Sequence, residues 1–265
     1  MLCEVRGLVI RTLDLADNDK LLTIFTEEYG KITAVANGSR ALKSRYLAAA
    51  QLFCYGNYVL YQKGDRYWVR EVNLIESFFD LRADLTRTAL ASYVCDVAGD
   101  VVEENAPEPQ LLRLTLNTLY AIAKGVAEQE KIKAVFEMRA AALLGFCPML
   151  EACATCGREA GGNFYLDVMN GCIACEECYH TATEEVIDPK ADPDDSFRTA
   201  RIICPLSPAS LSAMRYATSS SMERLFSFRL EAADMQLFSA AAERYLLNQL
   251  ERGFKSLAFY KQIVN

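Results

Sequence analysis

The sequence has only one histidine and one tryptophan among its 265 residues. A single histidine removes most Ser–His and Cys–His catalytic arrangements, and neither a G-x-S-x-G nor an H-E-x-x-H motif occurs. The phosphate-binding motif G-x-x-x-x-G-K-[ST] is also absent, so the sequence predicts no ATP hydrolysis. Together these absences favour a protein that works by binding over one that catalyses a reaction.

Long apolar runs and targeting signals are missing as well. The longest apolar stretch, Ala140 to Leu150, is interrupted by Gly145 and Pro148 and falls short of the ~18 residues that a membrane span needs. The chain does not open on a basic cluster followed by an apolar run, which a secretory signal would require. Apolar residues still make up 52% of the chain, which excludes a disordered protein. We therefore expect a folded cytoplasmic protein of about two domains with no membrane partner.

Residues 1–80 show the pattern of a small β-barrel. Alternating or β-branched runs bounded by turn residues predict five strands, at about 5–12, 21–26, 32–36, 52–62 and 66–75. Helix formers from Ser39 to Ala50 predict a short helix after the third strand, with Ser39 as its cap. This is the order of an OB-type Greek-key barrel, although another small barrel, such as an SH3-like module, would show a similar strand count.

From about residue 81 the apolar spacing changes to that of helices. Leu90, Val94, Val97 and Val101 are spaced four, three and four residues apart, which predicts one helix, and similar stripes predict others at 109–126, 132–143, 207–216 and 230–250. The predicted fold class is therefore α+β, with an N-terminal OB-fold domain at 1–80 and a helical domain at 81–265. A cysteine-rich segment at about 150–185 is inserted in the helical domain.

Ten cysteines in a cytoplasmic chain need a role other than disulfides. Cys153-Ala-Thr-Cys156 is separated by 18 residues from Cys175-Glu-Glu-Cys178, which is the spacing of two metal-binding knuckles. We predict one zinc ion per chain, bound by Cys153, Cys156, Cys175 and Cys178. Four thiolates fill a tetrahedral site and leave no position for an activated water, so the zinc would be structural.

The spacing leaves one alternative open. Cys172-Ile-Ala-Cys175 is also a C-x-x-C pair, separated from Cys156 by 15 residues, so Cys172 could replace a ligand. His180 follows Cys178 by two residues, but four thiols already suffice, and we interpret it as a surface residue. The other cysteines are isolated and are predicted to be small apolar fillers; they are Cys3, Cys54, Cys95, Cys147 and Cys204.

The net charge of −7 argues at first against a nucleic-acid partner, but it is unevenly distributed. Residues 1–80 contain ten basic and ten acidic residues, so the rest of the chain carries the whole negative charge. Residues 31–70 hold seven basic residues and one acid, a segment charge of +6. The same window contains seven aromatic residues, Tyr46, Phe53, Tyr55, Tyr58, Tyr61, Tyr67 and Trp68.

Cations interleaved with aromatic rings are typical of single-strand binding, because the cations follow the phosphates while rings stack on bases at ~1–3 kcal/mol each. On a strand, Arg66, Trp68 and Arg70 share one face, which predicts that the tryptophan lies between two guanidinium groups. The candidate DNA-binding residues are Lys31, Arg40, Lys43, Arg45, Arg66, Trp68 and Arg70. The alternative, which the residues alone leave open, is that aromatics such as Phe53, Tyr55 and Tyr61 fill the barrel core and the cations form a solvated face.

The stretch FEMRAAALLGFCPMLEACATCG (136–157), followed by GCIACEEC (171–178), resembles the RecO family of bacterial recombination mediators. In that family a helix ends in a turn just before C-x-x-C-G, and a G-G-x-x-C-x-x-C element closes the finger. The segments LLTIFTEEYGKITAVANGSRALKSR (21–45) and FKSLAF (254–259) are similar to the family's first strands, basic loop and ending, so the resemblance covers nearly the whole chain. Two positions depart from the family pattern. Asn37 replaces a frequent lysine, and Cys172 replaces the second glycine, which favours Cys175 and Cys178 as the ligands.

The resemblance implies a protein without enzymatic activity that binds single- and double-stranded DNA through its barrel and anneals complementary strands. It also implies work at the nucleoid with RecR, and with single-stranded DNA-binding protein through that protein's acidic C-terminal tail, to load RecA during repair. Two other readings remain. One is a metal-dependent nucleic-acid enzyme that uses carboxylates such as Glu103-Glu104, Glu184-Glu185 or Asp192 to Asp195; the other is an interaction hub that binds only proteins.

Overall fold

The computed structural model describes residues 1–159, 161–184 and 201–264. These residues belong to two compact units. The first unit consists of Met1–Gln129 together with the chain from Phe254, and the second consists of Glu130–Gly253. The acidic run Asp192 to Asp195 and Glu185 lie outside the described residues.

The first unit begins with a closed barrel of five strands in the order β1-β2-β3-β5-β4. All neighbouring strands are antiparallel except β3 and β5, which pair in parallel. This arrangement confirms the predicted OB-like barrel, and each strand lies within a few residues of its predicted position. The strands are β1 Leu2–Asp14, β2 Lys20–Thr26, β3 Gly30–Ala36, β4 Tyr55–Lys63 and β5 Arg66–Glu76.

The barrel core follows from the alternation of side chains along each strand. Alternate residues of β2 and β3 point inward and are buried, whereas their neighbours are partly or fully exposed on the outer face at several positions. The core residues are Val5, Val9, Leu22, Ile24, Ile32, Ala34, Ala36, Tyr46, Ala50, Cys54, Tyr58, Leu60 and Val69. The outer face is thereby left for the polar and charged side chains of the strands.

The short helix predicted from Ser39 to Ala50 is wrong, because the structure has a series of turns there. Tyr46 and Ala50 of these turns are buried in the barrel core, and Lys20 Nζ of β2 donates to Ala50 O at 3.2 Å. Ser39 caps nothing; it is buried, and its hydroxyl has no hydrogen-bond partner among the described residues. Tertiary contacts have overridden the local helix propensity.

Three helices complete the first unit: α1 Leu85–Val101, α2 Pro109–Lys124 and the C-terminal helix α7 Lys255–Val264. The Asp84 side chain caps α1 by accepting hydrogen bonds from the N–H groups of Thr86 and Arg87. A 3₁₀ turn at Phe79–Ala83 joins the barrel to α1. The predicted helices at 90–101 and 109–126 are therefore confirmed, whereas α7 had no counterpart in the sequence prediction.

The second unit contains α3 Gln129–Leu143, α5 Pro208–Ser219 and α6 Ala232–Gln249, close to the three predicted helices. It also contains a four-stranded sheet in the order β6-β8-β7-β9 and a short helix, α4 Glu176–Glu184. The strands are β6 Met149–Cys153, β7 Phe164–Asp167, β8 Cys172–Cys175 and β9 Ile203–Leu206. An ammonium group is buried between α3 and α6, where Lys133 Nζ lies 2.9 Å from Glu137 and 2.8 Å from Glu243.

Among the helices that the structure describes, none is long and apolar enough to cross a membrane. The fold class is confirmed as an N-terminal barrel followed by a mainly helical region that carries a cluster of four cysteines.

Candidate metal centre and nucleic-acid interface

Four cysteine sulfurs in the second unit lie within 4.8 Å of one another. They are the four predicted ligands: Cys153 at the end of β6, Cys156 in the following turn, Cys175 at the end of β8, and Cys178 in the first turn of α4. Cys153 and Cys175 are buried, while Cys156 is exposed and Cys178 is half-buried. The four sulfurs thus meet where β6 and β8 end, two from the strands and two from the segments that follow them.

The distances suit a metal ion bound by sulfur. A tetrahedral site with zinc–sulfur bonds of ~2.3 Å has sulfur–sulfur edges of about 3.8 Å, and the Cys156 and Cys175 sulfurs lie 3.8 Å apart. The first knuckle turns tightly because Gly157 adopts a φ of 72°, and its N–H donates to Cys153 O at 2.9 Å. The four cysteines can therefore hold a metal ion.

The pKa values of two thiols in the cluster are shifted in opposite directions. Burial raises the pKa of the Cys153 thiol, but backbone hydrogen bonds from Cys156, Cys175 and Thr155 outweigh it and lower that pKa to about 6. Hydrogen bonds to the sulfurs of Cys175 and Cys156 raise the pKa of Cys178 to about 12. Metal binding requires all four thiols to lose their protons, so the affinity for metal falls as the pH is lowered.

The alternative ligands lie outside this cluster. Cys172 is at the opposite end of β8 from Cys175, opposite Asp167 of β7. The exposed imidazole of His180 lies 4.0 Å from the Glu176 carboxylate and meets the Tyr165 ring edge-on. Among the described residues, the cluster of potential metal ligands includes neither Cys172 nor His180.

The five remaining cysteines do not all behave as predicted. Cys54, Cys95 and Cys204 are buried, as expected of small apolar fillers, and Cys3 is half-buried. Cys147 is exposed, so that its prediction as a filler is wrong. Cys147 lies beyond the end of α3 and after Gly145, so it is not on the face of the helix that packs against the core.

On the barrel, the outer side of the β4–β5 hairpin carries aromatic rings next to guanidinium groups. Val69 is buried, whereas Arg66 and Arg70 are exposed and Trp68 is half-buried, as alternation along β5 requires. Tyr61 lies directly opposite Trp68 in the strand register, and their ring centroids are 6.2 Å apart with the planes tilted by 43°. Two large rings are therefore adjacent on the outer surface of the barrel.

A β-bulge in β5 changes the direction of the Arg70 side chain. Glu71 pairs with Val59 and Val69 pairs with Leu60, so Arg70 is the extra residue between two consecutive pairs. Its guanidinium lies over the Tyr61 ring, 5.0 Å from the centroid. Arg66, Trp68 and Arg70 lie on one face of β5, and Arg70 covers the Tyr61 ring beside Trp68. That two guanidinium groups flank Trp68 stays a prediction.

Arg45 reaches the same surface from the turn segment that precedes β4. Its Nη2 donates to the Arg70 carbonyl at 2.8 Å, and its guanidinium lies 4.8 Å from the centroid of the Tyr46 ring. We call Arg45, Tyr61, Trp68 and Arg70 together the cation–aromatic face. Arg66 extends this face along β5 towards the Gly64-Asp65 turn.

The other predicted cations lie elsewhere. Lys31 donates to Gly99 O of α1 at 2.8 Å. The Arg40 guanidinium lies 3.5 Å from the Asp14 carboxylate and donates to the Leu15 carbonyl. Lys43 is exposed in the turn segment. Protein acceptors thus engage Lys31, Arg40 and Arg45, and of these three only Arg45 belongs to the cation–aromatic face.

The aromatic residues divide between core and surface. Phe53 is buried, as the core-filling alternative expects, and so are Tyr46 and Tyr58, which that alternative did not name. Tyr55 is only half-buried, and its hydroxyl donates to Glu27 at 2.8 Å. Tyr61 was assigned to the core in that alternative, but it contributes to the outer face. The register around the two-residue turn Gly64-Asp65 could have revealed this, since counting back from the turn places Tyr61 opposite Trp68.

An OB-like barrel followed by a helical region with a four-cysteine cluster defines the class of protein, a barrel protein with a cysteine finger. Two family profiles match the chain: Recombination protein O N terminal at residues 1–78, and Recombination protein O C terminal at residues 82–191. The chain belongs to the RecO family, and its role lies in DNA recombination and repair.

Relatives confirm this membership along the full length. The DNA repair protein RecO of Acetivibrio thermocellus is 31% identical over 260 residues, which is 98% of this chain and 96% of the relative. The protein of the same name from Alkaliphilus metalliredigens is 27% identical over 264 residues, 99% of this chain and 100% of the relative. That of Listeria monocytogenes serotype 4b is 34% identical over 177 residues, 67% of this chain and 68% of the relative.

Proposed function

We propose that this protein is a recombination mediator that acts by binding alone. It binds single- and double-stranded DNA through the barrel domain at residues 1–80 and anneals complementary strands. With RecR it helps to load RecA onto DNA coated by single-stranded DNA-binding protein. The observation that carries this proposal is the cation–aromatic face on a barrel of a DNA repair family.

The chemistry of the face suits a single strand. Trp68 offers a ring surface for an unpaired base next to Tyr61, whose ring already lies under the Arg70 guanidinium. Arg45, Arg66 and Arg70 supply positive charge for the phosphates next to that base. Lys43 adds charge from the turn segment. Lys31 and Arg40, whose contacts with α1 and with the end of β1 lie away from this face, contribute to the positive field rather than to direct contacts. Duplex DNA uses the same cations without the stacking.

The metal that we assign to the four cysteines is zinc, one ion per chain. Four thiolates favour zinc over the hard cations, which prefer oxygen ligands. A closed site of this kind stabilises the finger and supports no hydrolysis. The zinc is therefore part of the scaffold of the second unit.

The proposed partners follow from the family. They are RecR and the acidic C-terminal tail of single-stranded DNA-binding protein, and the proposed location is the cytoplasm, at the nucleoid during repair. The net negative charge of residues 81–265 disfavours contacts with phosphates. Residues 1–80, which include the segment of charge +6, bind the DNA.

The decisive experiment is a titration of the full chain with a labelled single-stranded oligonucleotide at increasing salt. If four to six cations engage phosphates, the logarithm of the affinity falls against the logarithm of the salt concentration with a slope of about −3 to −4. An affinity independent of salt would contradict the electrostatic contact, and no binding would favour the protein-only hub. Complementary strands incubated with Mg²⁺ should anneal intact; cleavage would support the metal-dependent enzyme instead.

A further inference from the structure

The Tyr46 side chain connects the interior of the barrel to the cation–aromatic face. Its ring is buried in the barrel core, with 8% of its surface exposed. Its hydroxyl leaves the core and donates a hydrogen bond to the Arg70 carbonyl on β5. The same hydroxyl accepts a hydrogen bond from Arg45 Nη2 at 2.5 Å. One tyrosine oxygen thus contacts both residues that carry the guanidinium groups of the face.

We propose that Tyr46 is a positioning residue for single-stranded DNA, which holds the guanidinium groups of Arg45 and Arg70 in the arrangement that contacts the phosphates. This inference rests on the proposed DNA binding by the barrel. Tyr46 itself carries no charge and is buried, so it acts through the two arginines rather than by touching DNA.

The bulge explains why Arg70 needs such a support. Arg70 falls between two consecutive pairs of the β4–β5 ladder, so its carbonyl is directed away from regular strand pairing. That carbonyl accepts hydrogen bonds from the Tyr46 hydroxyl and from Arg45 Nη2. Both donors come from the turn segment before β4. They fix the bulge, and the bulge sets the direction in which the Arg70 side chain leaves the strand.

The hydrogen bonds of Tyr46 also reduce the conformational entropy that the two arginine side chains would lose when DNA binds. Long arginine side chains lose much rotamer freedom when they are fixed on a ligand. Here Arg45 is already held by two acceptors and lies over the Tyr46 ring, and Arg70 lies over the Tyr61 ring. A face that is ordered before binding loses less conformational freedom on binding and so binds more tightly.

The test compares two tyrosine-to-phenylalanine variants of the full chain. Tyr46→Phe keeps the buried ring and removes the hydroxyl. Tyr58→Phe makes the same change in the same core, where the hydroxyl donates to Ala49 O at 3.2 Å and Cys54 O at 3.3 Å without contacting either arginine of the face. Affinity for a labelled single-stranded oligonucleotide is measured for both variants and wild type over a range of salt concentrations, with melting followed in parallel.

We expect Tyr46→Phe to lower the affinity about threefold to tenfold and to make the salt slope shallower by about 0.7 to 1.4, the loss of one or two phosphate contacts, although no charge is removed. Tyr58→Phe should leave both quantities at the wild-type values. In an Arg45→Ala/Arg70→Ala background, Tyr46→Phe should have no further effect on the affinity.

Three outcomes would overturn the inference. They are an unchanged affinity and slope in Tyr46→Phe, an equal loss in Tyr58→Phe, or a full additional loss in the double-alanine background. The last two would mean that the hydroxyl supports the barrel in general. Each of these outcomes leaves wild-type binding in place and so leaves the proposed function standing. Failure of the wild-type chain to bind DNA would overturn both.

Discussion

Arg158 and Glu177 form an ion pair with two hydrogen bonds across the four-cysteine site, with Nη1 3.0 Å from Oε1 and Nη2 2.7 Å from Oε2. Arg158 follows the first knuckle directly, and Glu177 lies between Cys175 and Cys178 of the second. The pair therefore ties together the two segments that supply the sulfurs. It also places a guanidinium beside thiolates that become fully charged when metal binds.

Replacing Arg158 with alanine should weaken metal binding about threefold to tenfold, because the two knuckles lose their direct link and the thiolates lose a neighbouring cation. Competition with a chromogenic chelator measures the affinity. The effect is modest because both side chains are exposed. The matched control is Arg201→Ala in the same unit, whose guanidinium pairs with Asp167 and not with a knuckle. Equal losses in the two variants would contradict a role specific to Arg158.

Three cysteine variants test the ligand set. Cys153→Ser should abolish stoichiometric zinc binding and lower the melting temperature of the second unit, because the finger depends on the metal. Cys172→Ser should still bind one zinc per chain, since Cys172 lies at the other end of β8. Elemental analysis of the purified proteins gives the stoichiometry. Loss of zinc from Cys172→Ser, with retention in Cys178→Ser, would reverse the assignment.

Removing Arg66 and Arg70 together should lower the affinity for single-stranded DNA at least tenfold and make the salt slope shallower by about 1.4, the value for two phosphate contacts. The melting temperature should change little, because both side chains are exposed. Arg40→Ala is the comparison variant, since its guanidinium pairs with Asp14. A larger loss of binding in Arg40→Ala than in the double variant would move the DNA contact to the turn segment.

Trp68 is the only tryptophan and provides its own optical signal. Its fluorescence should be quenched when a single-stranded oligonucleotide binds, because a base stacks on the indole, and quenched less by duplex of the same length. Trp68→Ala should weaken single-strand binding by ~1–3 kcal/mol, the range for one stacked base, while Trp68→Phe should retain most of the affinity. Saturable binding without quenching would exclude stacking on Trp68.

Asp84 should stabilise the first unit in a pH-dependent way. Its pKa is lowered by the hydrogen bond from the Thr86 side chain and by the backbone N–H of Arg87. This contribution is present above the unfolded-state pKa of about 4 and disappears as the pH falls through the lower folded-state value. Asp84→Ala should therefore lower the free energy of unfolding by about 1 kcal/mol at pH 7, and Asp84→Asn by less, because the amide oxygen still caps α1. Denaturant unfolding at pH 7 and pH 3 measures both, and an undiminished difference between Asp84→Ala and wild type at pH 3 would contradict the assignment.

The sequence by itself determined the features that depend on short-range spacing. Two residues between paired cysteines force both thiols into one tight turn, so Cys153, Cys156, Cys175 and Cys178 could be predicted to meet. Side-chain alternation placed the five barrel strands, and the two-residue turn at Gly64-Asp65 fixed the register of the hairpin beyond it. In each case neighbours in the chain impose the geometry on one another.

The tertiary structure alone decided which residues of the basic segment form a surface. The residues from Ser39 to Ala50 are helix formers, yet they form turns in which Tyr46 and Ala50 are buried in the barrel core. Lys31 and Arg40 look like the other cations in the sequence, but carbonyl and carboxylate groups far away in the chain engage them. The bulge at Arg70 and its support by Tyr46 likewise depend on contacts between strands and turns. Contacts between distant residues compete with local conformational preferences, and only the folded structure shows which of the two determines the conformation.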